Sequence, residues 1–265
     1  MILDTLAAAA KKRVETLKSR VSLRDMEAMA YKAYEQSSKG GKEFIFEQTM
    51  ASPSLSFICE VKRASPSKGL IAEDFPYVTI GKEYEEAGAD AISVLTEPDY
   101  FLGKDEYLTE ISHFVNLPLL RKDFTVDPYQ IYEAKVLGAS AVLLICALLD
   151  TKKIREWIKI CDRLSMSALV EAHDEQEIDS ALEAGARLIG VNNRNLKTFT
   201  VDLKNSLRLR NRVPQTIPFI AESGIKTPDD IRLLSQAGVN GVLIGESLMR
   251  SPNKKQIIRS FQEAL

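Results

Sequence analysis

EAGADAISVL, residues 86–95, reads as the last turn of a helix, a glycine that ends it, and a buried strand. The same grammar returns in VLGASAVLLI at 136–145, EAGARLIGVN at 183–192 and QAGVNGVLIG at 236–245. Glycine tolerates the left-handed conformation that closes a helix. The apolar runs lack polar alternation, as expected of parallel strands covered on both faces. Gly88, Gly138, Gly185 and Gly238 recur at intervals of 50, 47 and 53 residues. One strand–helix unit of a barrel takes about 30 residues, so each interval holds a second unit.

Those intervening strands are expected at 57–61, 117–120, 168–171 and 218–221, with helices at 128–137, 152–164, 175–183 and 228–236. Pro128 and Pro228 stand where a first-turn proline belongs. Eight alternating units imply a parallel sheet and favour closure over an open doubly wound sheet. The expected fold is therefore α/β, a (β/α)8 TIM barrel with additional N-terminal helices. The 265 residues suit one such domain, 1–265. Residues 1–45 form a helical extension in which Leu6, Val14, Leu17 and Val21 make an apolar stripe packed on the barrel and partly covering a mouth.

Net charge is −2, with no concentration of positive charge, which argues against a nucleic-acid partner. Cys59, Cys146 and Cys161 form no CxxC pair and suggest neither a zinc site nor a disulfide framework. They suit a reducing cytoplasm. No apolar run reaches the roughly 20 residues of a membrane helix. The N-terminal lysines follow the apolar stretch, the wrong order for a signal peptide. No protein partner is indicated.

In such a barrel, chemistry sits at the C-terminal ends of the strands. Strand one ends in CEVKRASPSKG, where Glu60 and Lys62, two apart, share a face. Strand three ends in LLRKDF with Lys122, strand five in LVEAHD with Glu171, and strand six in GVNNRN, where Asn192 and Arg194 share a face. A lone Lys or Glu at a strand end is usually a solvated loop residue. Several converging on one opening argue for acid–base work. His113, on a solvent-facing helix, and His173, in the loop after Glu171, receive no role. After strands seven and eight come ESGI at 222–225 and IGES at 244–247. There many barrels hold a phosphate on backbone N–H groups and a short helix N-terminus. Gly224 and Gly245 allow close approach, Ser223 offers a hydroxyl, and Glu246 must turn its side chain away.

The pieces EVKRASPSKG, SVLTEPDYFLG, LLRKDF, VEAHD, GVNNRNLKTF and AESGI, in that order over nearly the whole chain, resemble indole-3-glycerol-phosphate synthases. The resemblance implies a carboxy-lyase of tryptophan biosynthesis. Its substrate would be 1-(2-carboxyphenylamino)-1-deoxyribulose 5-phosphate, closed to an indole with loss of carbon dioxide and water. Carried over residue by residue, Glu60, Lys62, Lys122, Glu171, Asn192 and Ser223 look like the catalytic set. Ser65 and Arg194 look like contacts to the substrate carboxylate. Gly224, Gly245 and Glu246 look like backbone phosphate contacts, and Phe101 and Phe124 like walls for the aromatic ring. No metal or organic cofactor is called for.

The chemistry needs an acid at the carbonyl oxygen, and Lys122 is the expected donor. Glu171 or Glu60 is the expected base of the dehydration, with Lys62 or Lys122 as its acid. The rival readings are another phosphate-binding barrel, such as phosphoribosylanthranilate isomerase, and a non-catalytic phospholigand-binding barrel. The latter would have no need to keep Glu60, Lys62, Lys122 and Glu171 together.

Overall fold

The computed structural model describes residues 2–38, 43–195 and 198–265. Met1, residues 39–42 of the extension, and Leu196 and Lys197 of the GVNNRNLKTF segment lie outside the described residues.

Eight parallel strands close a barrel in sequence order. They are β1 Ser56–Val61, β2 Ala91–Leu95, β3 Leu119–Lys122, β4 Ala141–Ile145, β5 Ser167–Ala172, β6 Ile189–Asn192, β7 Phe219–Glu222 and β8 Gly241–Ile244. The ring is completed by β8 pairing with β1 from Ser56↔Gly241 to Cys59↔Ile244. The expected barrel is thus the observed fold. All four repeat glycines have the positive φ that motivated the reading, between +76° and +93°.

Two strands start later than expected. The sequence puts strand three at 117–120, and it runs Leu119–Lys122; it puts strand seven at 218–221, and it runs Phe219–Glu222. Pro118 and Pro218 have no N–H to give to a ladder, so pairing begins after them. The shift matters, because it carries Lys122 and Glu222 from the loops onto the strands themselves.

The helices are α1 Ile2–Arg20, α2 Leu23–Ser38, α3 Ile45–Met50, α4 Tyr77–Glu86, α5 Asp105–Phe114, α6 Pro128–Val136, α7 Thr151–Arg163, α8 Glu175–Ala184, α9 Lys204–Arg210, α10 Pro228–Gln236, α11 Glu246–Arg250 and α12 Lys254–Gln262. Pro128 and Pro228 do occupy first-turn positions, behind the N-caps Asp127 and Thr227. A hairpin, Ala64–Ser65 with Gly69–Leu70, rises from the end of β1.

The core has two layers. One lies between strands and helices. The other fills the barrel with Ile58, Ala91, Leu120, Ala141, Leu143, Leu169, Ile220 and Leu243. Phe46 and Met50 of α3, both fully buried, belong to that inner layer. Sequence reading gave no role to this six-residue helix, which is too short to show periodicity. Because side chains alternate along a strand, the residues two beyond the inner apolar layer also point inward. These are Glu60 after Ile58, Lys122 after Leu120, Glu171 after Leu169, and Glu222 after Ile220. The barrel therefore has an apolar lower half and an ionic top.

Arg121 shows the same alternation from the other side. It points out of the barrel, buried, donating to Thr96 Oγ1 at 3.2 Å, the Gln130 carbonyl at 3.0 Å and Asp105 at 2.8 Å, and pairing with Glu133 at 2.8 Å. Next along, Asp123 takes both oxygens to Arg13 of α1, at 2.7 and 2.8 Å. Lys18 pairs with Asp127 at 2.6 Å. The extension is thus tied to the loop after β3, and its stripe is buried at Leu6 and Val14.

Replacing Phe46 by Ala should cost about 3–5 kcal/mol, the usual price of an emptied aromatic site in a core. Urea denaturation checks this, and a loss below about 1 kcal/mol would mean that α3 is not a structural part of the barrel.

Candidate functional site

A cavity of about 660 Å³ opens at the C-terminal end of the strands. All thirteen residues singled out from sequence line it: Glu60, Lys62, Ser65, Phe101, Lys122, Phe124, Glu171, Asn192, Arg194, Ser223, Gly224, Gly245 and Glu246. They come from β1, β3, β5 and β6 and the loops after β1, β2, β3, β6, β7 and β8, brought together by closure of the barrel.

Lys122 is the centre. Its ammonium donates to Glu171 Oε2 at 2.9 Å and to Glu222 Oε2 at 2.9 Å. Burial by itself would push this ammonium down. The carboxylates of Glu171, Glu222 and Glu60 outweigh burial and hold it well above the ordinary lysine value.

The two carboxylates are pushed apart. Burial would raise Glu171, but Lys122, then His173 and the hydrogen bonds from Lys122 and Asn192, bring it down to about 2. Glu222 is raised to about 7, because burial and the Glu171 charge together outweigh Lys122. Like charges sharing one cation cannot both be held low. The second oxygen of Glu222, Oε1, has no hydrogen-bond partner and lies against Gly190. A Cβ at Gly190 would collide with that oxygen and press Leu169 at 3.2 Å. The glycine on β6 is what makes room for Glu222.

Glu222 was missed from sequence, where it counted only as the first letter of a loop motif. The signal lay in strand parity with Ile220. Glu60 and Lys62 are paired directly, as their spacing implied. Lys62 Nζ also lies against Gly245, where a Cβ would come within 2.8 Å and would also strike the Glu60 carboxylate. Gly245 thus makes room for an ion pair as well as for any ligand.

The end of the cavity at the loops after β7 and β8 is shaped largely by backbone. Ser223 and Gly224 have φ of 68° and 89°, consecutive left-handed residues that turn the chain sharply after β7. Such a conformation is uncommon for serine. The side chain of buried Asn193 holds it, donating to the Ser223 carbonyl at 3.1 Å and accepting from Ser206 Oγ at 2.8 Å. Ser247 Oγ donates to the Ile225 carbonyl at 3.2 Å, tying this loop to the start of α11. The first N–H groups of a helix have no carbonyl within it to bond. Helix α11 begins at the cavity, which Gly245, Glu246 and Ser247 line. The Glu246 carboxylate pairs with Lys68 at 3.4 Å and Arg250 at 3.3 Å, two residues that line the same cavity.

The opposite wall is apolar. Phe101 and Phe124 have ring centroids 6.2 Å apart, and Ile2, Leu3 and Leu6 of α1 join the lining. The buried Glu97 accepts the N–H groups of Asp99, Tyr100 and Phe101 at 3.0, 2.8 and 3.0 Å, which fixes the loop carrying Phe101. Glu97, Ile2 and Leu3 did not stand out in the sequence, whereas Leu6 belongs to the stripe expected to cover a mouth partly. His113 is exposed on α5, as expected. His173 lies in the loop after β5, as expected, and on the side of Glu171, from which its Nε2 is 3.4 Å away.

The family model for indole-3-glycerol phosphate synthase matches residues 3–261. The chain belongs to the indole-3-glycerol phosphate synthase family. A protein of that name from Ruminiclostridium cellulolyticum is 59% identical over 95% of both chains. Another, from Lachnoclostridium phytofermentans, is 53% identical over the full length of both. Among solved structures, 3-hexulose-6-phosphate synthase from Salmonella typhimurium matches with a TM-score of 0.65, covering 80% of this chain and 98% of that one. At 14% identity that likeness speaks to the barrel alone. Membership of the synthase family, a family of carboxy-lyases, sets aside the isomerase and the non-catalytic barrel. Among the described residues no helix is long and apolar enough to cross a membrane.

The raised Glu222 has a thermodynamic signature. Its folded value, about 7, lies above the ordinary 4.5, so between those values the folded state binds more protons than the unfolded one. Stability is therefore lost through this group as pH rises from 4.5 to 7. Glu222→Gln removes that loss. The stability of Glu222→Gln relative to the unmodified protein, from urea denaturation, should be more favourable at pH 8 than at pH 5. An unchanged difference would mean that Glu222 is ionised throughout.

Proposed function

We propose that this mouth closes the indole ring of 1-(2-carboxyphenylamino)-1-deoxyribulose 5-phosphate, with the phosphate on the loops after β7 and β8 and the aromatic ring on the apolar wall. The observation that carries this reading is the Lys122 ammonium fixed between two buried carboxylates, in one cavity with the loops after β7 and β8 and the apolar wall. Arg194 and Ser65 line the same cavity and suit the substrate carboxylate.

The steps follow from the charges. The ring carbon bearing the carboxylate attacks the ketone carbon, and the carbonyl π pair moves to oxygen. Lys122 gives that oxygen a proton, and its positive charge stabilises the oxyanion as it forms. The bond to the carboxylate then breaks, carbon dioxide leaves, and the ring regains aromaticity. Last, the new hydroxyl leaves with a second proton as water while a base takes a proton from the neighbouring methylene carbon.

Glu171 is the base in this scheme. In the resting site Lys122 holds it low, at about 2. Once Lys122 has surrendered its proton, the chief cause of that depression is gone, and Glu171 becomes basic at the stage that needs a base. Glu222, raised by burial and by the Glu171 charge, is the acid assigned to the departing hydroxyl. Glu60 is tied to Lys62, and that pair serves to place the lysine near the phosphate end. Asn192 hydrogen-bonds Glu171 and accepts the Arg194 N–H at 3.0 Å, linking base and carboxylate contact. The scheme uses only these side chains. We further read residues 1–265 as one folding unit acting on a small phosphorylated substrate, without nucleic acid or an obligate protein partner. A cytoplasmic setting suits its three free cysteines.

Supplying the carboxyphenylamino-deoxyribulose phosphate and following indole fluorescence tests the assignment, and no product from folded protein would refute it. Lys122→Ala should lower kcat by about 10²–10⁴-fold, the usual span for a lost general acid, with the far-UV spectrum unchanged. Near-normal turnover would remove Lys122 from the acid role.

A further inference from the structure

The proton count of the reaction, which rests on the substrate proposed above, leaves a debt. At neutral pH the substrate enters as a carboxylate and its carbon leaves as neutral carbon dioxide. Two protons go to oxygen, one at ring closure and one as water departs, and only one returns from the methylene carbon. Each turnover therefore draws one proton from solvent. The acid–base groups are nevertheless buried: Glu222 is 1% exposed and Glu171 3% exposed. A bound substrate would fill the mouth above them.

A second way out is present beside β5. His173 follows Glu171 by two residues. Its Nδ1 lies 2.9 Å from Glu177 Oε2 on α8, and its backbone N–H donates to the same oxygen at 2.8 Å. The Asn205 side chain donates to the His173 carbonyl at 3.1 Å and steadies the turn. Nε2 is buried, has no hydrogen-bond partner, and faces Glu171 Oε1 at 3.4 Å. That is about 0.2 Å beyond the longest ordinary N–H···O bond, a gap that a small swing of Glu171 closes. The His173 side chain is 16% exposed and that of Glu177 21%, yet neither residue lines the cavity. Their contact with solvent lies outside the mouth.

We infer that His173 and Glu177 form a proton relay that recharges the Lys122–Glu171–Glu222 cluster from outside the barrel while the mouth is occupied. Glu177 passes a solvent proton to Nδ1 as Nε2 gives its own to Glu171 Oε1. Glu171 Oε2 passes one to Lys122, and Lys122 reaches Glu222, each across 2.9 Å. Rotation of the ring then lets Nε2 take the next solvent proton while Nδ1 returns its own to Glu177, which restores the starting tautomer, a side-chain motion much faster than a typical turnover. The charged groups around His173 suit the task. Burial would lower its value, but Glu177, Glu171 and Glu222 face it from α8, β5 and β7 and raise it. His173 touches no substrate in this scheme and acts only through Glu171.

Single-turnover and steady-state rates separate a relay from a structural role, because a relay is needed only after the resident protons are spent. In His173→Gln the single-turnover rate should stay within about twofold of the unmodified protein, while kcat at low buffer concentration falls about tenfold or more. Added imidazole should restore kcat. Glu177→Gln should show the same split and serves if His173→Gln does not fold. Unchanged kcat in both variants, or an equal fall in single-turnover and steady-state rates without imidazole rescue, overturns the relay. An unmodified protein that is inert toward the substrate overturns the reaction assignment and the relay with it.

Discussion

The structure turns on one buried ammonium shared by two carboxylates. Lys122 between Glu171 and Glu222 is an arrangement that water would dissolve and an apolar core would forbid. It persists because the barrel supplies both partners at 2.9 Å, from β5 and β7. Removing either carboxylate would leave a buried charge short of compensation, so the three groups form a unit. Their unequal surroundings then fix their protonation. Glu171, touched by Lys122, Asn192 and His173, is held low, while Glu222, with one oxygen unpartnered, is held high. A site that must give and take protons in one reaction needs that asymmetry.

Much of the remaining architecture protects that unit. Gly190 and Gly245 keep side chains out of the space that Glu222, Glu60 and Lys62 require. Arg121 and Asp123 flank Lys122 in sequence and point outward into networks that reach α5, α6 and α1. These contacts hold the strand on either side of the reacting lysine, and through Arg13 they also bring α1, with Leu3 and Leu6, over the mouth. Positioning of acid, hydrophobic wall and lid thus shares one set of ion pairs.

The barrel was legible because its signals are local and repeated. A left-handed glycine after each of four helices and an unbroken apolar run after it are direct consequences of helix capping and of strands buried on both faces. The strand-end ionic residues were legible for the same reason, since strand ends and their spacing can be counted. Legibility failed where one residue of register decided the outcome. Reading strand seven to end at Ala221 put Glu222 in a loop, although its parity with Ile220 points it inward. His173 is read in the loop where it lies, and only its contacts with Glu171 and Glu177 in the fold give it a role. Helix α3 offered no periodicity to read, and the roles of Gly190 and Glu97 exist only in three dimensions.

The central claim is that Lys122 is kept charged by its two carboxylates against the pull of burial. Heteronuclear NMR of the lysine side chains tests it most directly, following the Lys122 ammonium with pH in the unmodified protein and in the Glu171→Gln/Glu222→Gln double variant. The account predicts an ammonium that stays protonated beyond the ordinary 10.5 in the unmodified protein and titrates below that value in the double variant, where burial is less opposed. A neutral Lys122 at pH 8 in the unmodified protein, or a titration that the double substitution leaves unchanged, would contradict it.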